Sequence, residues 1–314
     1  MIAKIAELPQ ALRELGLGQY EAAITAVARP ALALHLEPEQ DSELPIGSSK
    51  FGGDPDLGPN VAWPMRKLAD DKGEEPLQFL VQFNLEELAH YEAATSFPRH
   101  GLLSFFYDIY DQPWGFPEDH GAWHILYQSS SRDLKRRPSG PPPKGKRYKV
   151  ASMREFNPHI PVGHDDCHVI PRRVSFTEFL SFPNHWSLQS AETFAQGWDE
   201  ESAGFSVAPS DQTNLAGLYT LPFQIGNQLF GYPAEIQNPM EPECERALLL
   251  SNGGDAPGYY DVSPEQIRSW KLLLQIDSFE ELMWGDVGMI FFWIRQEDLA
   301  TSRFDQSWLQ LQCF

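Results

Sequence analysis

With 314 residues, 42% hydrophobic and 12% aromatic, the chain has enough apolar material for a substantial buried core and lies far from the composition of a disordered protein. Its formal net charge of −20 argues against non-specific attraction to nucleic acid or anionic lipid and favours either solubility or a basic partner. The 26 prolines and 23 glycines call for many turns between short elements, hence a β-rich, loop-rich fold.

In chain order, Leu12, Leu15, Ala23 and Ile24 recur at helical spacing, and Leu32, Leu34 and Leu36 then alternate, so residues 8–27 are expected to be helical and followed by a strand. Phe79–Phe83, Leu102–Tyr107 and Trp123–Tyr127 are aromatic-rich and bounded by turn formers, the pattern of short strands sharing one sheet. Leu85–Ala94 carries a helical pattern among glutamates, and Ser278–Leu282 is expected to begin a shorter equivalent. Arg132, Lys135, Arg136, Arg137, Lys144, Lys146, Arg147 and Lys149 surround a proline run at 141–143, which is expected to form an exposed, extended excursion; the alternative is a positive arm that holds an acidic surface or a phosphate. Further on, a strand is expected at Val174–Phe182 and helices near Ser190–Gln196 and Asp211–Tyr219. The longest apolar run, Val287–Ile294, has the length of a buried strand, not of a membrane span. Met1–Gly16 lacks the apolar core of a signal peptide. Cys167, Cys244 and Cys313 are odd in number and far apart, so a disulfide framework is not expected and a cytoplasmic location is.

Three blocks occur twice in the same order. Ile46-Gly47 with Phe51-Gly52 is echoed by Ile225-Gly226 with Phe230-Gly231. Phe79-Leu80-Val81-Gln82 is echoed by Leu272-Leu273-Leu274-Gln275, and Gly101-Leu102-Leu103 by Gly288-Met289-Ile290. The expected architecture is α+β and β-rich: an internally duplicated β core with pseudo-twofold related halves and peripheral helices. It divides into a lead-in (1–45), a first half (46–128), the basic loop and an insertion (129–220) and a second half (221–314), forming one compact unit.

Ser49-Lys50-Phe51-Gly52-Gly53-Asp54-Pro55, Trp63-Pro64, Leu77 to Asn84, Gly101-Leu102-Leu103, Gly231-Tyr232-Pro233 with Ile236-Gln237, and Leu273 to Asp277 through Trp284-Gly285-Asp286-Val287-Gly288 together resemble the YwqG-like family of bacterial proteins, built around a domain of unknown function. The resemblance spans residues 46–299. It implies an α+β fold with a duplicated β core and no established reaction. Relatives often carry His at the position of Asn227 and an Asp-Pro-Arg-like turn at that of Asn238-Pro239-Met240, and some stand beside toxin systems, which implies immunity or neutralisation.

Chemistry-bearing residues are few. Lys50 before Gly52-Gly53 suggests either a tight turn or an anion cradle, with Leu229 as the counterpart of Lys50 in the second half. Gln82, Gln275 and Asp277 end apolar strands, where polar groups usually satisfy a neighbouring loop; with Lys50, Trp284 and Asp286 they are the candidate lining of a ligand or partner cleft. His159, His164, Cys167 and His168 have metal-ligand chemistry, but the surrounding prolines and Gly163 favour an irregular loop, as for His120 and His124, so no metal is expected. No nucleophile elbow, dinucleotide fingerprint or catalytic cysteine signature occurs, so neither a catalytic residue nor a cofactor is assigned. The expected function is binding of a macromolecular partner, such as a basic toxin or effector. The alternative is an enzyme or small-ligand sensor with a polar cleft between the halves.

Overall fold

The computed structural model describes residues 2–68, 73–138, 169–183, 225–280 and 282–314. Its centre is an antiparallel pair, β1 (Arg29–Pro38) and β10 (Arg172–Ser181), in register from Arg29↔Ser181 to Pro38↔Arg172. On one side follow β2 (Lys50–Phe51), β6 (Gln78–Asn84), β7 (Leu102–Tyr107) and β8 (Trp123–Gln128). On the other side follow β11 (Gln228–Phe230), β12 (Trp270–Asp277), β13 (Met289–Arg295) and β14 (Trp308–Gln312). All ten strands pair antiparallel. Two ribbons stand apart: β3 (Asp56–Leu57) with β9 (Lys135–Arg136), and β4 (Met65–Lys67) with β5 (Glu74–Pro76).

The sheet curls until its edges nearly meet. Trp123 Nε1 of β8 donates to Ser307 O at 3.1 Å, Trp308 Nε1 to Gly115 O at 2.9 Å, and Leu311 N of β14 to Trp114 O at 3.1 Å. Gly115 permits this approach: it sits at φ +95, and a Cβ there would lie 1.9 Å from Leu309 O. Near-closure leaves little unpaired backbone at edges that would otherwise recruit other chains.

Strands β6, β7, β12 and β13 are buried on both faces because each face has its own cover. Inside, aromatic rings from the two flanks interlock: Phe105 lies 5.1 Å from Phe292, Tyr107 5.9 Å from Trp284, and Phe97 4.7 Å from Phe230. Outside, Leu57, Val61 and Trp63 fold over Leu77, Phe79 and Phe106. The helices Leu8–Glu14 and Glu21–Val27 bury Leu8, Leu12 and Ile24 against Leu180 and Phe182. A bulge interrupts the pairing of β6 with β7 between Phe79 and Val81, and that of β12 with β13 between Leu272 and Leu274.

Several expectations change. The strand after the N-terminal helices is the sheet's central strand and not a peripheral lead-in, and β10, expected within an insertion, is its partner. Both positions depend on pairing across more than a hundred residues, which local patterning does not encode. The Leu85–Ala94 helix shrinks to Leu85–Leu88, capped by Asn84, with a separate 3-10 turn at Glu92–Ala94. Where Ser278–Leu282 was expected to start a helix, Phe279 and Leu282 instead form an isolated bridge. The expected helices near 190–196 and 211–219 lie outside the described residues. No helix among the described residues is long and apolar enough to cross a membrane.

Candidate functional site

The strand-end polar residues are each consumed by a loop. Gln82 is fully buried; its Oε1 accepts from Asp56 N at 2.9 Å, and its Nε2 donates to Ser48 O at 2.9 Å and Asp56 Oδ2 at 2.7 Å. Gln275, equally buried, accepts from Ala234 N at 2.8 Å and donates to Gly226 O at 2.6 Å. Sequence reasoning missed two further glutamines of the same kind. Gln128 accepts from Gly58 N at 2.7 Å and donates to Asp56 O at 3.1 Å, while Gln312 accepts from Ile236 N at 2.9 Å and donates to Asn238 O at 2.7 Å. The available signal was a glutamine closing an apolar strand. In each case an amide with both a donor and an acceptor bridges backbone groups that would otherwise be buried unpaired.

Lys50 belongs to the first of these networks. Its ammonium, fully enclosed, donates to Asp41 Oδ1 at 2.7 Å and to Asp54 O, with the Phe79 ring 5.8 Å away. Burial lowers its pKa and Asp41 works against that shift, so the pair is a desolvated strut. Gly52 N donates to Leu80 O at 2.6 Å and Gly53 N to Val169 O at 2.8 Å, so neither amide is left to cradle an anion. Lys50 lies opposite Gln82 and Gln228 lies opposite Gln275. Leu229, the counterpart of Lys50 in the sequence echo, lies opposite Leu274. Arg136, expected in an exposed excursion, also joins this network, with Nε on Asp56 Oδ1 at 3.1 Å and Nη2 on Leu44 O at 3.0 Å. Lys144, Lys146, Arg147 and Lys149 lie outside the described residues, as do His159, His164, Cys167 and His168.

Asp277 is half-buried, and burial pushes its carboxyl upward. Its N–H donates to Asn227 Oδ1 at 3.0 Å and its carbonyl accepts from Trp284 Nε1 at 3.1 Å. Trp284 is fully buried, whereas Asp286 is exposed. The six candidate cleft residues therefore separate into two loop-anchoring networks, around Lys50–Gln82 and around Gln275–Asp277–Trp284, with Asp286 alone at the surface. Several other candidate groups are similarly occupied. Glu75, Asp108 and Asp111 bring carboxylate oxygens within 4.8 Å of one another, but Arg66 Nη1 already sits on Asp108 at 2.6 Å and on Asp111 at 3.1 Å. His120 stacks on Trp308 at 5.5 Å, and burial lowers the pKa of His124. Cys244 is buried and its thiol is held well above its ordinary pKa, chiefly by burial, the opposite of a reactive thiolate.

A different arrangement stands out where the flanks meet. Residues 112–116, 283–287 and 308–314 bond to one another: Gly285 N donates to Gln112 Oε1 at 2.9 Å, Gln112 Nε2 to Met283 O at 2.9 Å, and Phe314 N to Asp286 O at 3.2 Å. On this locked backbone Trp114, Phe116 and Val287 remain 39%, 56% and 50% exposed. Val287 is also held at φ +51, a left-handed conformation that is strained for a β-branched residue. Glu118 and Asp286 are exposed beside them and form no ion pair among the described residues.

No curated protein matches the chain. A family profile does match, over residues 49–313, which takes in nine of the ten strands of the large sheet. The chain belongs to the family described as Domain of unknown function (DUF1963).

Proposed function

We propose that the protein is a non-catalytic binding protein of the cytoplasm that recognises a basic macromolecular partner, such as a toxin or effector, on the rim formed by Trp114, Phe116 and Val287. The observation that carries this reading is Val287, an apolar β-branched residue that is strained and exposed at once. Neither the core nor the turn needs that side chain, and strain retained at a surface position is a mark of function. Aromatic and aliphatic anchors on a rigid backbone are what a partner's hot spot requires. Glu118, Asp286 and a net charge of −20 select a basic counterpart. The seam between the flanks is packed with Phe105, Phe292, Tyr107 and Trp284, which favours recognition at the surface over a polar cleft between the halves. The free, buried Cys244 and Cys313 are consistent with a reducing compartment.

The scaffold itself we read as a gene duplication within a YwqG-like lineage. Support comes from the strand order, which reads alike outward from β1 and from β10, and from the two bulges and the paired glutamines Gln82/Gln275 and Gln128/Gln312, each bridging equivalent loops.

A photo-crosslinking residue placed at Phe116 tests the partner reading in cells of the source organism. The expected product is one discrete adduct with a basic protein, diminished by salt and reduced at least tenfold by Val287→Asn. That variant should at the same time gain about 1 kcal/mol of stability by relieving the strain. No adduct, or one indifferent to Val287→Asn, refutes the reading.

A further inference from the structure

A pocket of ≈ 350 Å³ opens away from the rim, where the start of β1, the end of β11 and the start of β12 meet the helix Gln296–Ala300. Arg29 and Lys271 line it together with Phe230, Leu272, Leu299 and Ala300. The volume is at the lower end for small-molecule sites, and the lining has their usual character, a mostly apolar wall with a few charged groups.

Among the described residues the two cations lack counterions at contact distance. The Arg29 guanidinium lies over the Tyr232 ring at 4.0 Å, and Lys271 Nζ donates to Arg268 O at 3.1 Å. Among the described residues neither pairs with a carboxylate. The acidic group whose charge acts on both is Glu241, at the start of the helix Glu241–Ser251, only 3% exposed and with Oε2 lacking a hydrogen-bond partner. Burial pushes that carboxyl up to about 7, against the opposing pull of Arg29 and Lys271, so near neutral pH it is only partly ionised and cannot cancel both cations. Lys271 in turn has its pKa lowered by burial and then by Arg29. Two adjacent, part-buried cations in a chain of net charge −20 are arranged for an anion from outside. The wall next to them is Phe230, a non-glycine residue held at φ +62 with its ring 4.7 Å from Phe97.

We propose that this pocket binds a small amphiphilic anion, its carboxylate or phosphate head between Arg29 and Lys271 and its apolar body against Phe230, Leu272 and Leu299. The proposal is independent of the partner reading, because rim and pocket are built from different segments.

Isothermal titration calorimetry on the full chain, with octanoate and octyl phosphate as probes and octylamine as control, tests it. Saturable binding of at least one anion is expected, with affinity rising about fourfold per methylene from butanoate to octanoate, the equivalent of about 0.8 kcal/mol each. Octylamine should not bind. Lys271→Met should weaken the anion at least tenfold, as should Arg29→Leu; Lys271→Met decides alone if the arginine variant does not fold. Val287→Asn should leave anion binding unchanged. Absence of saturable binding by either anion, equal binding of octylamine, or full affinity in Lys271→Met overturns the proposal.

Discussion

Replacing Glu241 by glutamine gives the sharpest test of the electrostatics. The carboxyl titrates near 4.5 in an unfolded chain and at about 7 here, because burial outweighs the attraction of Arg29 and Lys271. An acid whose pKa is raised by folding binds its proton more tightly in the native state, so rising pH costs the native state stability between those two values. At about 1.4 kcal/mol per unit, the penalty reaches about 3 kcal/mol above pH 8, is roughly 1 kcal/mol at pH 5, and vanishes below pH 4. Glutamine keeps the shape and cannot ionise, so Glu241→Gln escapes the penalty. Urea unfolding followed by tryptophan fluorescence should show the variant gaining about 2–3 kcal/mol on the wild type between pH 5 and pH 8. Cys244 and Tyr259, whose pKa values are raised chiefly by burial, stay protonated between pH 5 and pH 8 in both proteins and leave the difference unaffected. Parallel pH profiles would refute the reasoning, since they would mean that the carboxyl titrates alike in both states.

Gln275→Ala strands the buried Ala234 N–H and the Gly226 carbonyl, and should cost about 3 kcal/mol in denaturant unfolding; a loss under 1 kcal/mol would show that water replaces the amide. Phe292→Ala opens the centre of the seam opposite Phe105 and should cost about 3–5 kcal/mol by the same assay, and less than 2 kcal/mol would mean that the flanks are not packed as described. Gly115→Ala and Gly121→Ala form a matched pair, both at φ +95. Only Gly115 would drive a methyl into Leu309 O, so thermal melts should place its loss at least about 2 kcal/mol above that of Gly121, and equal losses would deny the edge contact between residues 114–115 and β14.

The strands β6, β7, β8, β12 and β13 were legible because aromatic and aliphatic residues concentrate in runs bounded by turn formers, and burial on both faces makes the runs of β6, β7, β12 and β13 nearly continuous. The order of the sheet was not legible. That β1 pairs with β10 is a contact between residues such as Leu32 and Glu178, and nothing in either strand's own pattern names its partner. That Gln228, not Leu229, faces Gln275 while Lys50 faces Gln82 has a similar origin. Short strands of two or three residues carry too few side chains to define register by sequence alone.

The candidate residues fall into two separate networks for a more general reason. A polar side chain that closes an apolar strand is conspicuous in sequence whether it serves a ligand or a loop, and composition cannot separate the two. In a nearly closed sheet the second demand is large, because every strand end delivers a loop whose backbone groups are shielded from water. Gln82, Gln128, Gln275 and Gln312 meet that demand with both ends of their amides, and Lys50 meets it with Asp41. Interior polar groups with every partner accounted for have no capacity left for a ligand. The recognition we propose therefore rests on Val287 on the rim and on Arg29 with Lys271 in the pocket, each conspicuous only once its neighbours are known.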